Sequence, residues 1–249
     1  MQIVICTVAY NTPEFVEEGL KFFFDHSYKI EYDRHVLIDP GYPLPDEESN
    51  RIAMKLLAEK YNLEYHSIKN LGSHKNFNWA LQNCCHNDDD IFVTVCPDTR
   101  CYDTGWVKAG CDVLRGDQTL FTVQLSQKTD YSKYHPILDT VGGYEILRFP
   151  ELVAWPTGMF NVGHIKSIGG FDAYSEQYGY IEHYLHDKFK PLGKRWCLLK
   201  NFYDSLCSCP DELYQRWKLL SAQKQTSKDF TLWLKEIDDK RPSENPNAI

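Results

Sequence analysis

No stretch of this 249-residue sequence approaches the roughly 20 consecutive apolar residues that a membrane-spanning helix needs. Basic residues are few and unclustered: 27 Lys and Arg stand against 35 Asp and Glu, for a formal net charge of -8. Nucleic acid is therefore not an expected partner, because neutralising phosphates takes grouped Lys and Arg. The paired CxxC spacing of a zinc site is missing as well. The nine cysteines are odd in number and scattered, several of them (Cys6, Cys96, Cys111, Cys197) inside apolar strands or helices. Buried free thiols in a reducing compartment account for them best. No basic leader with an apolar core and cleavage site precedes the first strand, so a cytoplasmic protein is expected. Repeats, low-complexity tracts and an interdomain linker are also lacking, and the length suits one large α/β domain.

What is present is a series of short apolar runs separated by helical patterns. Gln2 to Val8 reads as a strand, followed by Thr12-Pro13 as cap and first position of a helix carrying Phe15, Leu20, Phe23 and Phe24. His35 to Ile38 is a second strand ending at Asp39. Asp46 to Tyr61 is a helix with Ile52, Leu56 and Leu57 on one face, and Glu64 to Ile68 is a third strand. Asn70 to Asn78 reads as a polar loop entering a helix at Trp79 to Asn83. The unbroken run Ile91 to Cys96 follows Asp88-Asp89-Asp90, an acidic patch expected to lie in a loop, and ends in Pro97-Asp98-Thr99. A buried parallel strand reads this way, with Asp98 delivered at its carboxyl end, where ligands bind in open α/β sheets.

Further on, a helix is expected from Gly105 to Leu114, a strand from Leu120 to Leu125, and a hairpin region between Lys128 and Phe149. A helix from Ile181 to Leu192 stops at Gly193 with Leu185 and Phe189 on one face. Two amphipathic helices are expected from Asp211 to about Lys224 and Ser227 to about Lys240, before a polar tail. Strands alternating with helices imply a mostly parallel sheet flanked by helices.

The ordered pieces Thr7 to Thr12, Asp39, Asn70-Leu71-Gly72 through Asn78, Cys96-Pro97-Asp98-Thr99 with Gly105-Trp106, Thr157-Gly158, Gly169-Gly170-Phe171-Asp172 and Glu182 through Gly193 resemble the family 2 glycosyltransferases of GT-A fold. The resemblance spans about residues 2 to 200. It is nearest to the rhamnosyltransferase-like branch, which carries Asn-Pro-Asp where other members have Asp-x-Asp. It implies a Rossmann-like nucleotide half plus an acceptor half in a domain at 1–205, with 206–249 as a C-terminal helical extension.

The resemblance also implies roles. Val8, Tyr10, Asn11 and Asp39 would hold the base and ribose of a UDP- or dTDP-sugar; Asn70, Gly72 and Asn78 would lie near nucleotide and donor sugar. Pro97 and Asp98 belong to the motif whose last Asp holds Mn²⁺ or Mg²⁺ on the diphosphate. The Gly-Gly-Phe-Asp segment borders a glycan acceptor, and a carboxylate at the start of the following helix is the general base. Glu182, the sole acid in Gly179 to Tyr184, takes that role. An alternative register puts His183 there, and His183 or His186 could serve as second base or metal ligand.

The chemistry demands such groups. A hard cation with oxygen ligands stabilises the charge that grows on a departing diphosphate. A sugar hydroxyl is a poor nucleophile, so a carboxylate must take its proton, a contribution on the order of 10²–10⁴-fold. Attack opposite the diphosphate inverts the anomeric centre. The expected enzyme is thus a hexosyltransferase, with rhamnose implied by the Pro-Asp branch.

Two departures from the family pattern stand out: Cys96 where the family has Asn or Asp, and the missing Glu-Asp pair at Glu182-His183. They keep a second reading open, a sugar- or nucleotide-binding module without catalysis. A nucleotidyltransferase would need a Gly-rich basic loop after the first strand, which Ala9 to Pro13 does not supply. Asp39 has a plain alternative as a loop cap, Asn70 and Asn78 as turn and helix-cap residues, and Lys75 and Arg100 as solvated cations rather than phosphate contacts.

Overall fold

The computed structural model describes residues 1–10, 12–27, 32–41, 47–71, 73–127, 131–149, 157–171 and 181–207. In chain order these form β1 (Ile3–Val8), α1 (Pro13–Ser27), β2 (Arg34–Asp39), α2 (Glu47–Lys60), β3 (Glu64–Ser67), α3 (Ser73–Cys84) and β4 (Ile91–Val95). There follow β5 (Thr99–Cys101), α4 (Trp106–Gly116), β6 (Leu120–Gln127), β7 (Ile137–Val141), β8 (Tyr144–Arg148), β9 (Gly158–Asn161), α5 (Val162–Ser167), α6 (Ile181–Phe189) and β10 (Arg195–Leu206). The two helices expected between 211 and 240 lie outside the described residues. Among the described residues no helix is long and apolar enough to cross a membrane.

The strands make one ten-stranded sheet in the order β3-β2-β1-β4-β9-β6-β10-β8-β7, and β5 pairs with β10 off that path. Strands β1 to β4, β6, β7 and β10 point one way, and β5, β8 and β9 the other. This is the expected α/β class, mostly parallel and covered on both faces. One face packs Phe92, Phe121, Phe160 and Trp196 under Ala80 and Leu81 of α3, Ile165 of α5, and Leu185 and Phe189 of α6. The other packs Ile5, Val93, Val123 and Cys197 under α4, through Trp106, Val107 and Val113. Every residue of β4 is buried, which explains why its sequence is apolar throughout rather than alternating. Each of its larger side chains contributes about 1.5–3 kcal/mol over an exposed position.

Some expectations are corrected. Helix α2 buries Met54, Leu57 and Ala58, while Ile52 and Leu56 are exposed at 53% and 58%. The inward face is set by the i, i+3, i+4 series from Met54, which carries Leu57 but turns Ile52 and Leu56 out. Helix α3 starts at Ser73, inside the stretch read as a polar loop, because Asn76 is buried and accepts the Leu71 amide at 3.0 Å through its side chain. The acidic patch is not all loop surface: Asp90 is fully buried. Its carboxylate accepts the amides of Gln2 (2.7 Å), Asn87 (2.9 Å) and His86 (3.1 Å). Burial alone would raise its pKa; these amides outweigh that and hold it below the usual range. The short β5 and the long β10 were not anticipated.

Candidate functional site

Strands β3, β2, β1 and β4 are parallel neighbours, so their carboxyl ends share one edge of the sheet. Val8 pairs with Ile38, Thr7 with Val95, and Asp39 with Ser67. The chain therefore delivers Val8, Tyr10, Asp39, Asn70 and Pro97-Asp98 to that edge. Burial pushes the Tyr10 phenol well above its ordinary pKa, and the Asn70 side chain hydrogen-bonded to it partly offsets the rise. Asn70 also accepts from Asn76 of α3 at 3.3 Å. Asn11 and Gly72 lie outside the described residues.

Asp39 is fully buried, and its carboxylate is committed to the protein. One oxygen accepts the Gly41 amide at 2.9 Å and the other the Tyr65 hydroxyl at 2.7 Å, with Arg51 3.7 Å away. Arg51 also donates to the carbonyls of Asp39 and Ile68, both at 3.3 Å. This network ties the end of β2 to α2 and to β3 and the residue after it. Burial, with the Asp39 carboxylate behind it, raises the Tyr65 phenol to about 12.

The motif turn is built from backbone. Thr99 N donates to the Cys96 carbonyl at 2.9 Å and Cys207 N to the Asp98 carbonyl at 2.7 Å. Arg100, buried at 6%, folds back to donate to the Pro97 carbonyl at 2.6 Å and the Thr99 carbonyl at 3.2 Å. Its guanidinium lies between the rings of Phe15 and Phe22, at 5.6 and 5.8 Å. Arg100 is thus a clamp between α1 and the turn, with its Nη1 donating to two backbone carbonyls of the turn. Asp98 itself is largely buried, with 9% of its surface exposed.

Across the sheet, Asn78 of α3 accepts the Phe171 amide at 3.1 Å, and a Cβ on Gly170 would meet the same oxygen at 2.0 Å. Gly169 and Gly170 have φ of +91° and +81°, which only glycine adopts readily. Asn78 therefore pins the Gly-Gly-Phe turn to α3. Glu182 and His183 lie in the first turn of α6, their side chains outside the described set. Helix α6 is seated by Phe189, stacked on Phe121 with ring centroids 4.3 Å apart. His186, on the same helix, has a buried Nε2 that finds no hydrogen-bond partner among the described residues.

Among the described residues, the group of three metal-type ligands that converges is Glu64, His66 and Cys84, not a set containing Asp98 or His186. Glu64 is already gripped there: Arg34 donates Nε and Nη2 to it at 2.9 and 2.6 Å, and His66 lies at 2.8 Å. That grip, led by the hydrogen bonds from Arg34, holds the Glu64 carboxyl below its usual range.

Two features at the motif edge escaped sequence reasoning. Asp204 of β10 is 2% exposed, neither of its oxygens has a hydrogen bond of normal geometry among the described residues, and burial raises its pKa to about 7 although the Thr157 hydroxyl partly offsets the rise. Cys207 stands directly opposite Asp98. Neither residue has a sequence signal, because β10 itself carries no clean alternation.

The sequence matches no family model and no curated protein. Solved structures do resemble the fold. A mannosyltransferase from Pyrobaculum calidifontis in complex with GDP-Man and Mn²⁺ is 16% identical with a TM-score of 0.56, over 89% of this chain and 61% of that one. S. aureus TarS 1-349 in complex with UDP-GlcNAc is 14% identical with a TM-score of 0.57, over 86% and 61%. GalNAc-T7 with UDP, GalNAc and Mn²⁺ is 9% identical with a TM-score of 0.62, over 83% and 44%. The fold is that of GT-A glycosyltransferases, and the chain spans less than two thirds of the length of these neighbours.

Proposed function

We propose that this chain is a glycosyltransferase that moves a sugar from a nucleotide-diphospho-sugar to an acceptor hydroxyl. The observation that carries the reading is the convergence of Tyr10, Asn70 and Asp98 on one carboxyl edge of a GT-A sheet. The nucleotide sugars and Mn²⁺ in the neighbouring structures support it. In this reading Val8, Tyr10, Asn11 and Asp39 form the nucleotide side, with Asn70, Gly72 and Asn78 beside them. Asp39 and Asn78 act through the loops they pin. A divalent cation, Mn²⁺ or Mg²⁺, would be held by Asp98, the carboxylate in the backbone-bonded turn after β4, with His186 as a second candidate. Bound there, the cation neutralises charge on the diphosphate.

The acceptor oxygen attacks the anomeric carbon, the bond from that carbon to the diphosphate breaks, and the hydroxyl proton passes to the Glu182 carboxylate. The product is inverted at the anomeric centre, and a nucleoside diphosphate leaves. The donor is a UDP- or dTDP-hexose, with rhamnose favoured by Pro97-Asp98, and the acceptor is a glycan.

The test is a thermal-shift screen of UDP-, dTDP- and GDP-sugars with and without Mn²⁺, followed by donor turnover. Stabilisation by one nucleotide class that requires metal and disappears in Asp98→Ala supports the reading. Glu182→Gln should then keep binding and lose turnover by about 10²-fold or more. Binding without turnover in the wild type favours the non-catalytic module, for which the Cys96 departure speaks.

A further inference from the structure

Three side chains of metal-ligating type converge on the α3 side of the sheet: the donor atoms of Glu64, His66 and Cys84 all lie within 4.8 Å of one another. Their placement follows from the chain. Glu64 and His66 stand two residues apart on β3 and so leave the same face, while Tyr65 between them packs on the other face with Leu37, Met54 and Leu57. Cys84 is the last residue of α3, the helix that packs on that first face with Val36 and Ile38. Arg34, which begins β2 as Asp39 ends it, closes the group by donating to Glu64 and to the Cys84 carbonyl.

We infer that Glu64, His66 and Cys84 bind a thiophilic divalent ion of the Zn²⁺ type, which ties β3, at the border of the sheet, to the end of α3. The inference does not depend on glycosyl transfer, whose proposed cation rests on Asp98.

The donor set selects the ion. A thiolate, an imidazole and a carboxylate are the ligands that Zn²⁺ takes, in a tetrahedron whose donor atoms lie about 3.3–3.6 Å apart and whose fourth corner is left to water. Cys84 is fully buried, whereas His66 and Glu64 keep 31% and 38% of their side chains exposed, which gives the ion a way in and the two side chains room to close on it. His66 Nε2 lies 2.8 Å from Glu64 Oε1. The ion enters between them in place of the proton they share, the neutral imidazole carries its proton on Nδ1, and the Cys84 thiol proton leaves to solvent.

Arg34 supports this arrangement rather than blocking it. An ionised carboxylate offers about four lone-pair sites, so Arg34 Nε and Nη2, at 2.9 and 2.6 Å, leave Glu64 able to ligate and hold its orientation, as outer partners of metal ligands do. The two anionic ligands match the charge of the ion, and the carbonyl end of α3 favours positive charge beside it.

The probe is Co²⁺ added to the full chain with a thiol-free reductant, with thiolate-to-cobalt charge-transfer absorption as the readout. Wild type should show the band; Zn²⁺ should abolish it by displacing Co²⁺, and Mg²⁺ in large excess should not. Zn²⁺ should also raise the melting temperature. Cys84→Ala should remove the band, and His66→Gln should weaken Co²⁺ by about tenfold or more. Cys207→Ala, which removes a partly exposed thiol elsewhere, and Asp98→Ala should keep it. Metal-free melting curves establish that the variants fold, and the partly exposed His66 carries the test if Cys84→Ala does not. A band that survives Cys84→Ala, or undiminished Co²⁺ affinity in His66→Gln, overturns the inference. So does a wild type without a band, which makes Arg34, Glu64 and His66 an ion-pair network alone. None of these outcomes alters the nucleotide-sugar binding by which the transferase reading is judged.

Discussion

Gly19 of α1 lies against the backbone of Pro97: a Cβ at Gly19 would sit 2.5 Å from the Pro97 carbonyl oxygen. The helix that follows the first strand thus touches the motif turn directly, next to the Arg100 clamp. In a helix interior glycine is normally a liability of about 0.5–1 kcal/mol relative to alanine. Here the missing methyl lets the turn seat. Gly19→Ala should lower stability by about 1–3 kcal/mol, as overpacking against backbone does. Urea unfolding measures the loss, and a gain in stability would show that the contact relaxes without cost.

The glycine turn pinned by Asn78 offers a paired comparison. Gly170→Ala meets both a positive φ and the Asn78 oxygen at 2.0 Å, whereas Gly169→Ala meets a positive φ in open space. Each pays strain of about 1–3 kcal/mol. The Gly170 variant should be the less stable of the two. Equal midpoints in urea would mean that Asn78 swings aside freely.

Asp204 makes stability depend on pH in a direction unusual for a carboxyl group. Its folded pKa is raised from 3.8 to about 7 by burial, so between those values the folded chain holds a proton that the unfolded chain has released. Stability must then fall as pH rises from about 4 to about 7, by on the order of 2–4 kcal/mol in total, and level off above. Asp204→Asn should flatten that slope and melt higher than wild type at pH 8. Parallel slopes for the two proteins between pH 5 and pH 8 would refute it.

The stack of Phe189 on Phe121 holds the helix that carries Glu182. Phe189→Ala should cost about 3–5 kcal/mol. Native-state proteolysis should open α6 before the β1 to β4 half. Simultaneous loss of both would show that the two halves unfold as one unit.

The carboxyl edge was legible in the sequence because β1, β2 and β4 are built around apolar runs, with Asp39 ending β2 and Asp98 standing three residues beyond β4. Burial on both faces writes that pattern, and Asp39 and Asp98 could be placed by it. Less legible were elements whose identity depends on distant partners. Asn76 reads as loop until α3 buries it, and Asp90 reads as surface until three amides reach its carboxylate. The exposed Ile52 and Leu56 look as apolar as the buried Met54 and Leu57. Asp204 and Cys207 were invisible because β10 shifts register against β6 between Leu199 and Tyr203, which breaks any regular alternation.

That last described strand is also an interior one, lying between β6 and β8 and bonding β5 as well. A chain emerging from the ribosome can pair β1, β2, β3 and β4 early, but the second half of its sheet stays gapped until residue 206 is available. Its assembly waits on pairings that are long in sequence, the kind that form slowly and leave strand edges open in the interval. Chaperone dependence should therefore concentrate in the half built by β6 to β10, while β1 to β4 are already in place.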